Sequence, residues 1–244
     1  PRGTGTERLE EELRRAVPGL RVLRLDADTV ATRQGHARIL AAFAERRADC
    51  LVGTQMVAKG LDFPAVTLVG IVAADQGLGV PDFRAGERTF QLIAQVAGRA
   101  GRGRQPGRVV VQAFDPSAPA IACAVAGKLR TFYQDELALR RLYGYPPGNG
   151  LLRLLWRGPD EARVQQAAEV HGAVLRQAAG ELPVLGPQPA GTRYLQGQHR
   201  WHALVKGGSR QVIQRFLDAV DALGGLPRQY KVQVAIDVDP YVIS

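Results

Sequence analysis

The feature that most constrains the fold is a nearly unbroken apolar run at residues 66–72, Val-Thr-Leu-Val-Gly-Ile-Val. So short an apolar segment suits a strand covered on both faces, as in a parallel sheet. Other strand-like segments stand at 20–25, where apolar and basic residues alternate, at 50–52, and at 108–114. Between them lie stretches with helical spacing. Residues 7–16 put Leu9 and Leu13 on one face, with Thr6 available as a cap, and 38–46 carries Ile39, Leu40 and Phe43. Residues 84–100 place Phe90, Ile93, Ala94 and Ala97 at i, i+3, i+4 and i+7. Strands separated by helices of about 10–17 residues predict an α/β parallel sheet with crossover connections.

From residue 127 the pattern changes. A long charged helix is predicted over 128–143, closed by Gly144 and by Pro146-Pro147, through which no helix continues. Beyond it the predicted order is strand 151–156, helix 160–179, strands 184–185 and 201–206, helix 209–223 and strand 231–238. That β-α-β-β-α-β order is a split βαβ, ferredoxin-like α+β unit. The expected division is residues 1–126, a linker helix and Pro-Pro turn at 127–149, and a smaller domain at 150–244.

A hydrophobic content of 45% over 244 residues suffices for one large or two modest cores. No apolar run approaches the roughly 18 residues of a membrane span, and no signal-peptide pattern is expected at the start. Because the first residue is Pro1, the chain reads as a piece of a longer protein. Cys50 and Cys123 stand far apart, which argues against a disulfide framework or a zinc site and fits a reducing cytoplasm. The formal charge is +9, and lysine occurs only at 59, 128, 206 and 231, so the excess is arginine. Such a balance favours an anionic partner, most simply nucleic acid. His36, His171, His199 and His202 have no metal-ligand spacing and read as surface or satisfied core histidines; no metal site is expected. Trp201 reads as a strand residue packed beneath its domain, and Asp237 and Asp239 as structural carboxylates.

Two stretches carry chemistry. In Gln95-Val96-Ala97-Gly98-Arg99-Ala100-Gly101-Arg102, two arginines three apart each follow a glycine at a helix C-terminus. Positions i and i+3 share a helix face, so two planar, permanent cations project together, an arrangement suited to phosphate. The alternative is a solvated helix end, where the dipole also favours arginine. The second stretch runs from Gly53 to Phe63, just past a predicted strand, and holds Thr54, Gln55, Lys59, Gly60 and Asp62. Ligands bind at the C-terminal ends of strands in open α/β sheets. There Gly60 permits close backbone approach, Asp62 suits a ribose hydroxyl or an arginine, and Thr54 and Lys59 suit a nucleic-acid phosphate.

The combination resembles the second RecA-like lobe of superfamily 2 helicases, with its motifs V and VI. Other runs are similar to the replication-restart (primosomal) PriA family in particular. These are Gly3-Thr4-Gly5-Thr6-Glu7, Gly53-Thr54-Gln55-Met56, Ala74-Asp75-Gln76-Gly77-Leu78, Asp82-Phe83-Arg84 and Glu87-Arg88-Thr89-Phe90-Gln91-Leu92. Leu142-Tyr143-Gly144-Tyr145-Pro146-Pro147, Leu185-Gly186-Pro187, Arg200-Trp201 and Asp237-Val238-Asp239-Pro240 complete the set.

The resemblance implies a partial RecA-like lobe followed by a C-terminal domain, together the C-terminal portion of the family's chain. It puts Gln95, Arg99 and Arg102 across an interlobe cleft at the γ-phosphate, and Gly60 and Asp62 on the nucleotide. Thr54, Gln55 and Lys59 fall on the DNA strand. ATP and Mg²⁺ would be held by a lobe outside this chain and zinc by a module outside it, so the chain alone would not hydrolyse ATP. Implied partners are forked and single-stranded DNA, helicase-loading primosome proteins, and the acidic tail of single-stranded DNA-binding protein at Arg210 and Gln214. The implied location is the cytoplasm, at the nucleoid. Leu61 stands where the family usually has histidine and Ala73 where it usually has aspartate. Two readings therefore stay open: an ATP-dependent 3′-to-5′ DNA helicase, or a fork-binding and primosome-assembly module without helicase activity. An RNA-directed superfamily 2 helicase leaves the C-terminal runs unexplained.

Overall fold

A computed structural model describes residues 4–26, 33–54, 57, 63–98, 107–227 and 230–243. The chain divides into two compact units. One comprises Pro1–Ala74 with Phe90–Pro116, the other Asp75–Thr89 with Ser117–Ser244.

The first unit contains α1 (Thr4–Ala16), β1 (Val22–Leu25), α2 (Arg33–Ala44), β2 (Cys50–Gly53), β3 (Leu68–Ile71) and β4 (Arg108–Val111). β1 pairs with β2 and β3 with β4, both in parallel, as the strand–helix alternation predicts. Leu25 (0% exposed) and Val52 are buried. Thr6 is not a cap: α1 starts at Thr4, and the Thr6 hydroxyl donates to Asp26 Oδ2 at 2.7 Å, just past β1. The run at 66–72 also departs from expectation, for Leu68 is 62% exposed and Val72 and Val110 lie open. Among the described residues β3 and β4 pair only with each other. Strand side chains alternate, and Leu68 and Val110 share one face, which has no covering layer among the described residues.

Helix α3 (Ala85–Ala97) begins in the second unit and ends in the first. The second unit continues with α4 (Pro119–Val125), α5 (Leu129–Leu142), β5 (Gly150–Gly158), α6 (Glu161–Ala179), β6 (Val184–Leu195), β7 (Gln198–Gly207), α7 (Arg210–Ala222) and β8 (Gln233–Val238). The sheet order is β6-β7-β5-β8, all antiparallel. Strand β7 thus lies between the two strands that α6 connects, which is the predicted split βαβ. β6 runs ten residues beyond the short strand expected at 184–185. Its Gly186, Pro187, Pro189 and Gly191 read as loop signals, and the ladder absorbs them as irregularities after Leu185 and Pro189.

Leu152, Leu154 and Trp156 of β5, with Ala203 and Val205 of β7, form one face of the core. Val164, Ala167, Ala168 and Leu175 of α6 and Ile213, Phe216 and Val220 of α7 cover it, and Trp201 packs against its edge. Each fully buried large side chain here contributes about 1.5–3 kcal/mol. Asp160 and Ser209 cap α6 and α7 by accepting from the backbone N–H of Arg163 and Val212. Within the core, Trp156 Nε1 donates to His171 Nδ1 at 2.7 Å, so His171 Nε2 is the ring nitrogen that donates, to Pro227 O at 2.8 Å. His171 is therefore neutral, and burial pushes its pKa down. Among the described residues no helix is long and apolar enough to cross a membrane.

Candidate nucleotide and nucleic-acid interface

Helix α3 leads into the paired arginines, and its first turn is held by charge. Asp82 has a fully buried side chain; its Oδ1 accepts from the Arg84 N–H at 2.9 Å, while its carbonyl accepts from Ala85 N at 2.9 Å. Asp82 Oδ2 pairs with Arg88 at 3.1 Å and accepts from the Ile243 N–H at 3.3 Å. Glu87 pairs with Arg140 of α5 at 2.7 Å, and Arg140 also holds Glu136 at 2.8 Å. Burial opposes the Arg140 charge, but its hydrogen bonds to both carboxylates outweigh that and raise its pKa. Arg84 donates to the carbonyls of Pro240 and Tyr241 and lies 4.4 Å over the Phe83 ring. Phe83 stacks on Tyr145 at 4.8 Å, and the Lys206 ammonium sits 3.8 Å from the Tyr145 centroid. All of these groups lie within the second unit.

The far end of α3 lies in the first unit, where Phe90 and Ile93 are 2% and 1% exposed. Gln95 is exposed there, and Arg99 and Arg102 lie outside the described residues. Gly53 closes β2 where no larger residue fits, since a β-carbon would come within 2.2 Å of Val57 Cγ2 and 2.5 Å of Leu25 O. Thr54 follows as an exposed bend residue at the C-terminal edge of the β1–β2 ladder. Gln55, Lys59, Gly60 and Asp62, like Leu61, lie outside the described residues. Gln95 and Thr54 are the two predicted site residues described in this unit. Both side chains are polar and exposed.

Arg210 and Gln214 sit one turn apart on the exposed side of α7, and Gln214 Nε2 donates to Asp218 Oδ1 at 2.9 Å. Asp237 pairs with Arg153 across the strands at 2.7 Å. Asp239 Oδ1 accepts from the Leu151 N–H at 2.9 Å.

Residues 4–104 match the family model for the helicase conserved C-terminal domain, and residues 141–241 that for the primosomal protein N C-terminal domain. The chain is 39% identical over 243 residues to the replication restart protein PriA of Bacillus subtilis (strain 168), covering 99% of this chain and 30% of that protein. It is 38% identical over 240 residues to that of Chlamydia pneumoniae, covering 98% and 32%. It is 40% identical over 244 residues to that of Treponema pallidum (strain Nichols), covering 98% and 36%. The chain belongs to the PriA family.

It spans about a third of the length of these relatives. The helicase match encloses Thr54, Gln95, Arg99 and Arg102, and the second match encloses Arg210 and Gln214. Asp82, Arg84, Glu87 and Arg88 lie in two of the runs similar to the PriA family, and the structure gives them the task of holding the first turn of α3. The available signal is the density of alternating charge in residues 82–88, which open an amphipathic helix.

Proposed function

We propose that this chain is the C-terminal part of a replication-restart protein that binds forked DNA and couples ATP hydrolysis to 3′-to-5′ unwinding. The observation that carries this reading is the run of residues 95–102, which begins in the last turn of α3, inside a helicase-domain match and upstream of a primosomal-protein match. In this reading ATP and Mg²⁺ supply the hydrolytic chemistry from a lobe outside the chain. Gln95, Arg99 and Arg102 stabilise charge on the transferring phosphate, and Gly60 and Asp62 line the nucleotide. Thr54, Gln55 and Lys59 hold the DNA strand. Arg210 and Gln214 receive the acidic tail of single-stranded DNA-binding protein, and loader proteins assemble on the complex at the nucleoid in the cytoplasm. Zinc belongs to a further module of the full-length protein.

An arginine finger contributes about 10³–10⁵ in rate. In the full-length protein, Arg99→Ala is expected to lower DNA-stimulated ATPase activity by about that factor, while fork binding persists. Unchanged ATPase activity would overturn the reading.

Leu61 and Ala73 favour a second reading, a fork-binding and assembly module without hydrolysis. Strand displacement on a forked duplex by the full-length protein separates the two: measurable unwinding excludes the second.

A further inference from the structure

The chain passes between its two compact units at 74–75, 89–90 and 116–117. The first crossing lies at the start of a short 3₁₀ turn and the third in an irregular turn, whereas the second lies inside α3. Helical bonding continues past the last residue of α3, for the Gly98 N–H donates to Ala94 O at 3.1 Å. A single hydrogen-bonded helix therefore runs from the ion-paired residues of the second unit to the residue before Arg99. Such a helix rises about 1.5 Å per residue, so Gln95 lies about 12 Å along the axis from Glu87. A tilt of about 10° in the first turn would displace Gln95 by about 2 Å at that rise.

The near end of this rod is held by directional contacts from two sides. Arg140 of α5 grips Glu87 at 2.7 Å and is itself held by Glu136 at 2.8 Å, and all three side chains are mostly buried. From the other side, Arg84 and Arg88 donate to the carbonyls of Pro240 and Tyr241, and Asp82 accepts from the Ile243 N–H. Gly77 lies so close to Thr89, the last residue of α3 in the second unit, that a β-carbon on it would come within 2.7 Å of the Thr89 hydroxyl. Apolar burial is non-directional, whereas ion pairs and their hydrogen bonds demand particular distances and angles. Replacing a buried ion pair with apolar residues often costs no stability at all. A charged anchorage at this turn is thus suited to setting the direction of the helix.

We infer that Arg140 is a positioning residue for the proposed ATP hydrolysis: by gripping Glu87 it sets the direction in which α3 presents the residue 95–102 run. The inference rests on the proposed role of that run at the transferring phosphate. Arg140 touches no reacting atom in this reading and acts only through Glu87 and the helix.

The test is steady-state ATPase activity of the full-length protein with a saturating synthetic fork, assayed well below the melting temperature of each variant. Because a misplacement of about 1 Å at reacting groups costs up to about 10²-fold in rate, Arg140→Ala is expected to lower kcat by about ten- to hundred-fold. KM for ATP and fork affinity should stay near the parent values. Glu87→Gln is the milder variant, since Arg140 keeps Glu136 and no buried charge loses its partner. It weakens a charge-assisted bond to a neutral one, so kcat should fall by about three- to ten-fold with the melting temperature nearly unchanged. Exchanging the charges, Glu87→Arg with Arg140→Glu, again gives one cation between two carboxylates and should recover most of the lost kcat.

Unchanged kcat in Arg140→Ala and Glu87→Gln, with Arg99→Ala impaired, would overturn this inference and leave the hydrolysis reading intact. Parallel losses of kcat, fork affinity and folded fraction would show Arg140 to be merely structural and overturn it too. An exchange variant as impaired as Arg140→Ala, though folded, would also overturn it. A parent protein without fork-stimulated ATPase activity, or an unimpaired Arg99→Ala, would overturn both readings.

Discussion

Ala73 adopts φ 51°, in the left-handed region where a β-carbon crowds the following carbonyl. Aspartate and asparagine enter that region more readily than alanine. Ala73→Gly is expected to stabilise the chain by about 0.5–1 kcal/mol, read as a higher urea midpoint at unchanged m. His171 makes a separate prediction. Its folded pKa is lowered by burial, so the unfolded chain takes up the proton first. Stability should be level above the ordinary histidine pKa of about 6.5 and fall as pH drops below it. His202, also lowered chiefly by burial, adds to the same slope. Calorimetric melting between pH 7.5 and 5 checks this, and His171→Gln should flatten the slope.

Helix α3 is built with different physics at its two ends. Its first turn is fixed by ion pairs, and its later turns by apolar burial of Phe90 and Ile93. Arg140 is the common partner of Glu87 and Glu136, with a side chain only 10% exposed. Arg140→Ala removes the cation that two partly buried carboxylates share and should cost about 2–4 kcal/mol. Removing Glu87 as well should restore part of that loss, and a double-mutant cycle in urea measures the coupling. Purely additive effects would contradict the triad.

At the scale of the molecule, the Asp82 carboxylate joins the segment before α3 to the chain's last described residues. It serves Arg88, the Arg84 N–H and the Ile243 N–H, while Arg84 and Arg88 donate to carbonyls at 240–241. Asp82→Ala should therefore act in two stretches far apart in sequence. Hydrogen-exchange mass spectrometry is expected to show lost protection at 82–90 and at 239–243 together. Loss confined to 82–90 would contradict this linkage.

Much of this protein is legible in the sequence because the determining interactions are local. Helical spacing and the strand–helix alternation located most elements to within a few residues of where they stand, whereas α4 stands where no element was expected and β6 runs ten residues past its expected end. The β-α-β-β-α-β order was enough for the split βαβ sheet. The residue 95–102 run and the Gly53-Thr54-Gln55 loop are likewise contiguous patterns, and the family matches enclose them. What local pattern does not carry is which residues meet across the fold. The open face of β3, the Arg153–Asp237 pair 84 positions apart, the Asp82–Ile243 contact 161 positions apart and the Arg157–Arg200 opposition arise from sheet register and chain return. Register is set by the summed burial of whole strands, and a shift of one residue would turn each of these side chains to the other face. Local chemistry in the sequence determined the elements and the motifs; the tertiary structure alone decided which charges neutralise one another and which are left facing solvent.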